Sequence, residues 1–339
     1  MNRLTRRHDG QELGQASPSC KRVISPARSP IHARRHASSP TSITSALKLR
    51  FIFNPHSGHN LRNPHLLHRA RAFILEQQLD ATVVPTEGPL HATELARQAI
   101  AEGCDTVVAM GGDGTINEVA TGLIDTKTTL GLIPCGSGNG LGRHLGIPKP
   151  NQLAFDTLLK GRLRVIDTGE ANGRPFFNVM GLGFDAAIAD RFANLTKRGF
   201  QAYVRTTLSA WSSYQPQNVI VHNGDQTIES PALILSVANS DQFGNNCYIA
   251  PGAQVDDGVI DLTILKPVGF FKSIPLAMRL FRGSLDASPH AIRMSGSKFI
   301  IQRPTAGLVH ADGEPFSTSA DVTVTVLPKS LRVLVPVDS

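Results

Sequence analysis

Two glycine-rich turns hold the residues best suited to chemistry. The first lies in Val107-Val108-Ala109-Met110-Gly111-Gly112-Asp113-Gly114-Thr115-Ile116-Asn117-Glu118, where an apolar run meets glycines, an acid and a helical start. Glycines let the backbone approach a phosphate and take dihedrals closed to other residues. A helix starting there adds free N–H groups and the positive end of a dipole. Asp113 stands where a carboxylate could hold Mg²⁺, the ion that carries nucleotide phosphates. The plain alternative is a strand–turn–helix with an acid in its turn; three glycines around one acid weigh against it. The second turn is Ile133-Pro134-Cys135-Gly136-Ser137-Gly138-Asn139-Gly140-Leu141-Gly142-Arg143, with Ser137 able to hydrogen-bond phosphate or ribose. Alone it reads equally as a structural loop or a ligand loop. Its glycine spacing only weakly matches a dinucleotide fingerprint, and the acid expected about 20 positions on is not clearly placed. Two adjacent strands that both end in such turns favour a ligand, because α/β sheets bind ligands at their carboxyl ends.

These turns need strands and helices to hold them. Leu47–Phe53 reads as a buried strand ending in the turn Asn54-Pro55-His56-Ser57-Gly58. Leu66, Leu67, Ala70, Phe73 and Ile74 recur at helical spacing, as do Leu95, Ala96 and Ala99 within Ala92–Ile100. Ala81–Val84, Thr106–Met110 and Leu130–Ile133 read as further strands. This alternation predicts an α/β domain with a parallel sheet over 47–165. After about residue 165 strand-like runs dominate: Phe176–Met180, Asn218–His222, Ala232–Ala238, Val259–Leu265, Lys298–Gln302, Val322–Leu327 and Leu331–Val335. Helices are expected at Asp185–Phe192, Gln201–Ser212 and Phe270–Phe281. A mostly antiparallel β-sandwich is therefore expected over 166–339, its last strands free to return to the first domain.

The 339 residues carry 34 Lys+Arg and 27 Asp+Glu, a net charge of +7. Residues 1–48 hold nine basic side chains against Asp9 and Glu12, so the rest of the chain is neutral. No basic footprint remains on the folded part, and nucleic acid is not an expected partner. Residues 1–46 are rich in Ser, Pro, Arg and His without apolar periodicity, and read as a disordered basic tail. Attraction to anionic lipid, a transit peptide and an over-extended translation start are its three readings, with the blander ones favoured. No apolar run approaches the roughly 18–20 residues of a membrane span. Cys20, Cys104, Cys135 and Cys247 show no metal-ligand spacing and read as isolated reduced thiols. The twelve histidines form no HExxH pattern. Tyr203 and Trp211 read as packing residues. Phe270, Phe271, Leu276, Met278 and Phe281 suit equally a lipid entrance, a membrane interface or burial against the sandwich.

Gly111 through Val119 resembles the signature of the diacylglycerol kinase catalytic-domain family, which includes sphingosine and ceramide kinases and bacterial lipid kinases. Asn54 through Gly58 looks like that family's NPxSG turn, and Thr86 through Ala92 like its segment ending in His-Ala. Gly136-Ser137-Gly138-Asn139 resembles its GTGN or GSGN turn. Phe177 through Asp185, Pro251 through Leu262 and Asp312-Gly313-Glu314 resemble its later blocks, in the right order over about 47–335.

The resemblance implies ATP in a cleft between an α/β domain and a β-sandwich, and γ-phosphoryl transfer to a lipid hydroxyl, diacylglycerol or a related lipid such as a sphingoid base. Matching nucleotide-binding positions are Asn54, Pro55, Ser57, Gly58, Thr86, Gly111, Gly112, Asp113, Gly114, Thr115, Asn117, Glu118 and Ser137. Gln254, Asp257 and Val259 match a structural Mg²⁺ site, in part through backbone carbonyls. Glu314 matches the general base; a phosphoryl acceptor needs such a group nearby. Asp312 and Asp113 are the alternatives, and a β-turn with solvated acids would look similar. A peripheral, cytoplasmic enzyme at a membrane surface is expected, with a homodimer left open. Two departures stand out: His59 where the family usually has Lys or Arg, with Arg62 further on, and Gly140 where many bacterial members have Asp. Two other functions compete: an NAD-kinase-like enzyme with a soluble acceptor, and a catalytically weak lipid-binding regulatory module.

Overall fold

Strand β1 (Lys48–Phe53) is buried along nearly its whole length, Arg50 included, which fits a strand covered on both faces. The computed structural model describes residues 47–57, 60, 65–149, 152–193 and 214–337. The tail 1–46, Gly58, His59, Arg62 and the expected helix Gln201–Ser212, with Tyr203 and Trp211, lie outside the described residues.

After β1 come α1 (His65–Glu76), β2 (Asp80–Pro85), α2 (His91–Ala101), β3 (Thr106–Gly111), α3 (Asp113–Leu123), β4 (Thr129–Pro134), α4 (Gly140–His144) and α5 (Gln152–Lys160). The strands pair in parallel in the order β2-β1-β3-β4. Side chains alternate across a strand. Val107 and Ala109 therefore pack with Leu95, Ala96, Val119 and Leu123 of α2 and α3. Val108 and Met110 pack on the other face with Phe73 and Phe155 of α1 and α5. Gly122 admits the close crossing of α2, since a Cβ there would lie 2.8 Å from the Ala96 methyl.

The chain continues through β5 (Arg162–Ala171), β6 (Arg174–Phe176), β7 (Val179–Gly183), α6 (Phe184–Ala193), β8 (Gln217–Asn223), β9 (Gln226–Ala232), β10 (Ile234–Ala238) and β11 (Ile260–Leu265). It ends with α7 (Phe270–Arg282), β12 (Ala291–Gly296), β13 (Lys298–Gln302), β14 (Gly307–Ala311), β15 (Glu314–Thr318) and β16 (Asp321–Val335). An antiparallel sheet runs β12-β11-β10-β7-β14-β15. It faces β13, β8 and β16 across a core that includes Met180, Leu235, Leu262, Phe299, Val309 and Val324. The fold is thus an α/β domain with a parallel sheet followed by an antiparallel β-sandwich.

β16 belongs to both parts. Its first half pairs with β13, and its second half meets β4 in parallel at Val333–Leu130. Pairing with β5 runs along both halves, shifting register between Leu327 and Leu331, where Lys329 takes a φ of 51°. Val322–Leu327 and Leu331–Val335, expected as two strands, are therefore one bulged strand. Two other expected strands divide. Phe176–Met180 breaks at Phe177-Asn178, and Ala232–Ala238 straddles β9 and β10 with Leu233 between them. β5, β9, β12, β14 and β15 have no counterpart among the expected strands. Their sequences are short, polar or interrupted, and cross-strand partners stabilise them. Cys104, Cys135 and Cys247 are free thiols.

Candidate active site

β3 and β4 end side by side, with Gly111 paired to Pro134, so both glycine-rich turns leave the sheet at one edge. Asp113 starts α3 but turns its carboxylate sideways. Oδ2 accepts from the Asn139 N–H at 3.0 Å and Oδ1 from the Gly140 N–H at 2.9 Å. The acid thus ties the first turn to the second. Asn139, in the left-handed region with φ 52°, closes the second turn with its side chain, accepting from Gly136 N and donating to Gly136 O. A Cβ on Gly136 would lie 3.0 Å from the Gly112 Cα, and one on Gly138 would lie 2.9 Å from Asp113 Oδ2. Only glycine fits this approach of two backbones. Arg143 donates from Nε to Gly138 O at 2.8 Å, placing a guanidinium beside the turn. Burial pushes the neighbouring Cys135 thiol up to about 12, so it is not a thiolate near neutral pH.

The other expected nucleotide positions divide between the turns and the scaffold. Asn54 donates to Thr115 Oγ1 at 3.0 Å and accepts from His56 N at 2.9 Å, holding its own turn against α3. Ser57 Oγ accepts from Asn60 N within that turn. Pro55 lies in the same turn. The Thr115 side chain fills the space a Cβ on Gly111 would need, at 2.5 Å. Thr86 is buried beside β1, its N–H on Phe53 O. Glu118 accepts from the Ala92 N–H at 3.1 Å and so caps the start of α2. Its carboxylate has a structural task that the motif spacing does not reveal. Ser137 is exposed. Asn117 Oδ1 is buried without a hydrogen-bond partner among the described residues. Such an atom is open to a further donor. Bare backbone at Gly112, Gly136 and Gly138, a nearby guanidinium and this orphaned acceptor fit a nucleotide.

The third cluster comes from the far end of the chain. β14 and β15 form a hairpin with the two-residue turn Asp312-Gly313, whose φ values of 50° and 86° suit an Asp-Gly connection. Asp312 accepts from three backbone donors: Phe177 N and Asn178 N at 2.8 Å, and Val179 N at 2.9 Å. This acid is what breaks the strand expected over Phe176–Met180. Burial pushes its carboxyl up to about 6, against the pull of those three hydrogen bonds. Glu314 begins β15 half-exposed, in an ion pair with Arg174 at 3.3 Å. The Arg174 guanidinium also stacks 4.6 Å over the Phe316 ring. Glu314 Oε1 would stand 3.0 Å from a Cβ on Gly114, so this carboxylate faces the start of α3. The structure therefore brings Glu314 to the glycine turns across 200 residues of sequence. Beneath the hairpin, His310 Nδ1 accepts from Gly313 N at 3.2 Å. Its other nitrogen then carries the proton and faces Asp185 Oδ2 at 3.3 Å.

The sequence reading gives no role to Arg143, Arg174 or His310. Arg143 is one helical turn beyond the second glycine turn, a spacing that could have flagged it. Arg174 and His310 carry no local signal, because their partners lie 140 and 125 residues away. At Gly140, a Cβ would lie 3.1 Å from the Asn178 amide, whose side chain packs against this glycine.

Metal donors are sparser. The described residues hold no group of three or more His, Cys, Asp or Glu able to grip an ion. Gln254, Asp257 and Val259 share one turn, where Asp257 Oδ1 accepts from Val259 N at 3.2 Å. One carboxylate with an amide and backbone carbonyls fits a hard cation that keeps much of its water. Asp113, with one backbone donor on each oxygen, keeps lone pairs for Mg²⁺ held jointly with phosphates.

Residues 48–171 match the family described as the diacylglycerol kinase catalytic domain, and residues 178–335 match the YegS C-terminal NAD kinase beta sandwich-like domain. The chain is similar to a diacylglycerol kinase of Bacillus subtilis (strain 168), with 31% identity over 272 residues that cover 79% of this chain and 89% of that one. It is similar to "Probable lipid kinase YegS" of Escherichia coli O127:H6, 29% identical over 279 residues, covering 80% of this chain and 92% of that one. Among solved structures it is similar in fold to a diacylglycerol kinase from Bacillus anthracis str. Sterne. The TM-score is 0.65 and the identity 20%, over 86% of this chain and 98% of that one.

Proposed function

The chain belongs to the diacylglycerol kinase family of lipid kinases, and on that premise we propose that it transfers the γ-phosphoryl group of ATP to the hydroxyl of diacylglycerol or a closely related lipid at a membrane surface. The observation that carries this reading is Glu314, an exposed carboxylate facing Gly114 at the start of α3.

Phosphoryl transfer is mostly positioning and charge neutralisation. The N–H groups of Gly112–Gly114, Ser137 and Gly138 hold phosphate oxygens, and Arg143 supplies a cation in a chain whose residue after NPxSG is His59 rather than the family's Lys or Arg. Mg²⁺, when bound with ATP, neutralises phosphate charge, and Asp113 would hold it. Gln254, Asp257 and Val259 would hold a second, structural Mg²⁺. Glu314 accepts the proton of the lipid hydroxyl as its oxygen bonds to the γ-phosphorus and the bond from that phosphorus to the β,γ-bridging oxygen breaks, releasing ADP. Arg174 keeps Glu314 oriented. Asp312 holds the hairpin rather than taking the proton, since its oxygens already accept three N–H groups. No helix among the described residues is long and apolar enough to cross a membrane. The enzyme works as a peripheral protein on the cytoplasmic side.

The test supplies labelled ATP, Mg²⁺ and micelles of diacylglycerol, monoacylglycerol, sphingosine, ceramide or phosphatidylglycerol, with NAD as soluble acceptor. Label is expected in diacylglycerol and lost in Glu314→Gln. Label in NAD alone, or bound ATP with no labelled lipid, would overturn the reading.

A further inference from the structure

Helix α7 carries apolar side chains on two faces, one buried and one exposed. Leu276 and Leu280 pack inward with Val179, Phe243, Ile249 and Leu285. Phe271, Ile274, Met278 and Phe281 lie on the opposite side, 85%, 52%, 46% and 48% exposed. Their spacing of three, four and three residues confines them to an arc of about 80° on a helix with 3.6 residues per turn. The helix Phe270–Arg282 contains no acid, and Arg282, Arg279 and Lys272 all lie on one side of the exposed stripe, about 20°, 80° and 100° beyond Phe271. A shallow pocket of about 290 Å³ lies on this side, lined by Pro275, Met278, Arg279, Arg282 and Ser284. It combines apolar atoms with two guanidiniums.

We infer that α7 is the element that docks the enzyme on an anionic lipid bilayer, with the four apolar side chains entering the headgroup boundary and the cations contacting lipid phosphates. The inference rests on the lipid-kinase reading and names the surface through which it acts. An exposed apolar stripe bordered by cations is what an interfacial helix needs, since apolar burial and attraction to anionic lipid add. A second protein copy fits less well, because this face offers no acid to pair with its own cations.

The position of α7 supports the assignment. Leu280 O accepts from the Tyr248 N–H at 2.8 Å, joining the helix to the segment between β10 and β11. In that segment a Cβ on Gly244 would lie 3.3 Å from the Gly138 backbone, and the Phe243 ring lies 6.3 Å from the His310 ring, under the Glu314 hairpin. One loop thus connects the docking helix to both sides of the active site.

The experiment sediments the full chain with vesicles of phosphatidylcholine alone or with one third phosphatidylglycerol. It compares wild type with Phe271→Ser/Met278→Ser and with Lys272→Gln/Arg282→Gln. Wild type is expected to prefer the anionic vesicles. The apolar pair should lose on the order of tenfold or more in binding. The charge pair should lose about fivefold for each cation removed and show a weaker salt dependence. Phosphorylation of a soluble short-chain diacylglycerol should stay at the wild-type rate in both. Unchanged vesicle binding in both variants would overturn the proposal and assign docking to another surface, the basic tail included. A shift from dimer to monomer with vesicle binding intact would overturn it in favour of a second copy. Failure to label the short-chain lipid in all three proteins would count against the kinase reading alone, because vesicle binding is scored separately.

Discussion

Two turns meet at the candidate active site, Gly112-Asp113-Gly114 after β3 and Asp312-Gly313-Glu314 after β14, and each contains an acid that fastens backbone. Asp113 joins two turns on adjacent parallel strands with one N–H on each oxygen. Asp312 joins two strands of the sandwich sheet with three N–H groups, and burial lifts its carboxyl to about 6. Asp113 retains acceptor capacity toward the crevice, and Asp312 retains little. Glu314, two residues on, is half-exposed and bound only to Arg174 among the described residues. Within one DGE motif, then, one acid builds the hairpin and the other faces Gly114 at the start of α3. Identical chemical groups take different roles according to how many backbone donors already surround them.

The sharpest way to break this contrast is to neutralise each acid in turn. Glu314→Gln should lower kcat by about 10²–10⁴, as loss of a general base does, with ATP affinity and Tm near wild type. If Asp312→Asn, still folded, cost as much kcat while Glu314→Gln cost none, the two roles would be reversed.

Asp312→Ala should act on stability instead. It leaves three backbone donors without their acceptor, at a cost of about 3 kcal/mol or more, read as a lower denaturant midpoint. The pH dependence has a definite sign. The folded carboxyl binds its proton up to about 6, whereas the ordinary value is 3.8. The folded state is protonated where the unfolded chain is not. Its stabilisation is full below about pH 4 and is lost as the pH rises through 6. The Tm advantage of wild type over Asp312→Asn should therefore shrink across that window. An advantage that grew instead would mean that the three N–H groups outweigh burial.

Asp113→Asn should be milder in stability and sharper in ligand binding. The amide nitrogen would confront an N–H of Asn139 or Gly140, at about 1–2 kcal/mol, and one Mg²⁺ donor would be lost. Calorimetric titration with ATP, with and without Mg²⁺, should show most of the loss in the Mg²⁺-dependent part. Equal loss in both would reduce Asp113 to a fastener like Asp312. Arg174→Gln should have the smallest effect on stability, under about 1 kcal/mol, because both partners of its ion pair are substantially exposed. A modest fall in kcat at unchanged Tm would fit an orienting role.

Much of the parallel sheet was legible because its signals are local. β3 and β4 are largely apolar runs closed by glycine and proline, β1 ends in the apolar run Phe51–Phe53, and α1 and α2 show their buried faces at helical spacing. The glycine turns were legible for the same reason, since strand, turn and helix follow within a dozen residues. The sandwich was read as a class but not strand by strand. Glu-Pro-Phe-Ser-Thr of β15 and Gly-Leu-Val-His-Ala of β14 have little strand character until they pair with each other and with β7.

Residue types and local spacing determined the fold class and singled out Asp113; the family resemblance added Asp312 and Glu314. Neither could show that Asp312 and Glu118 hold backbone while Glu314 faces a turn 200 residues earlier. Nor could they show that Arg174 pairs with Glu314, or that one face of α7 is buried while the other stays exposed. An acid's role depends on how many donors reach it and how much water it keeps. Distant chain segments supply both, so only the tertiary structure decides it.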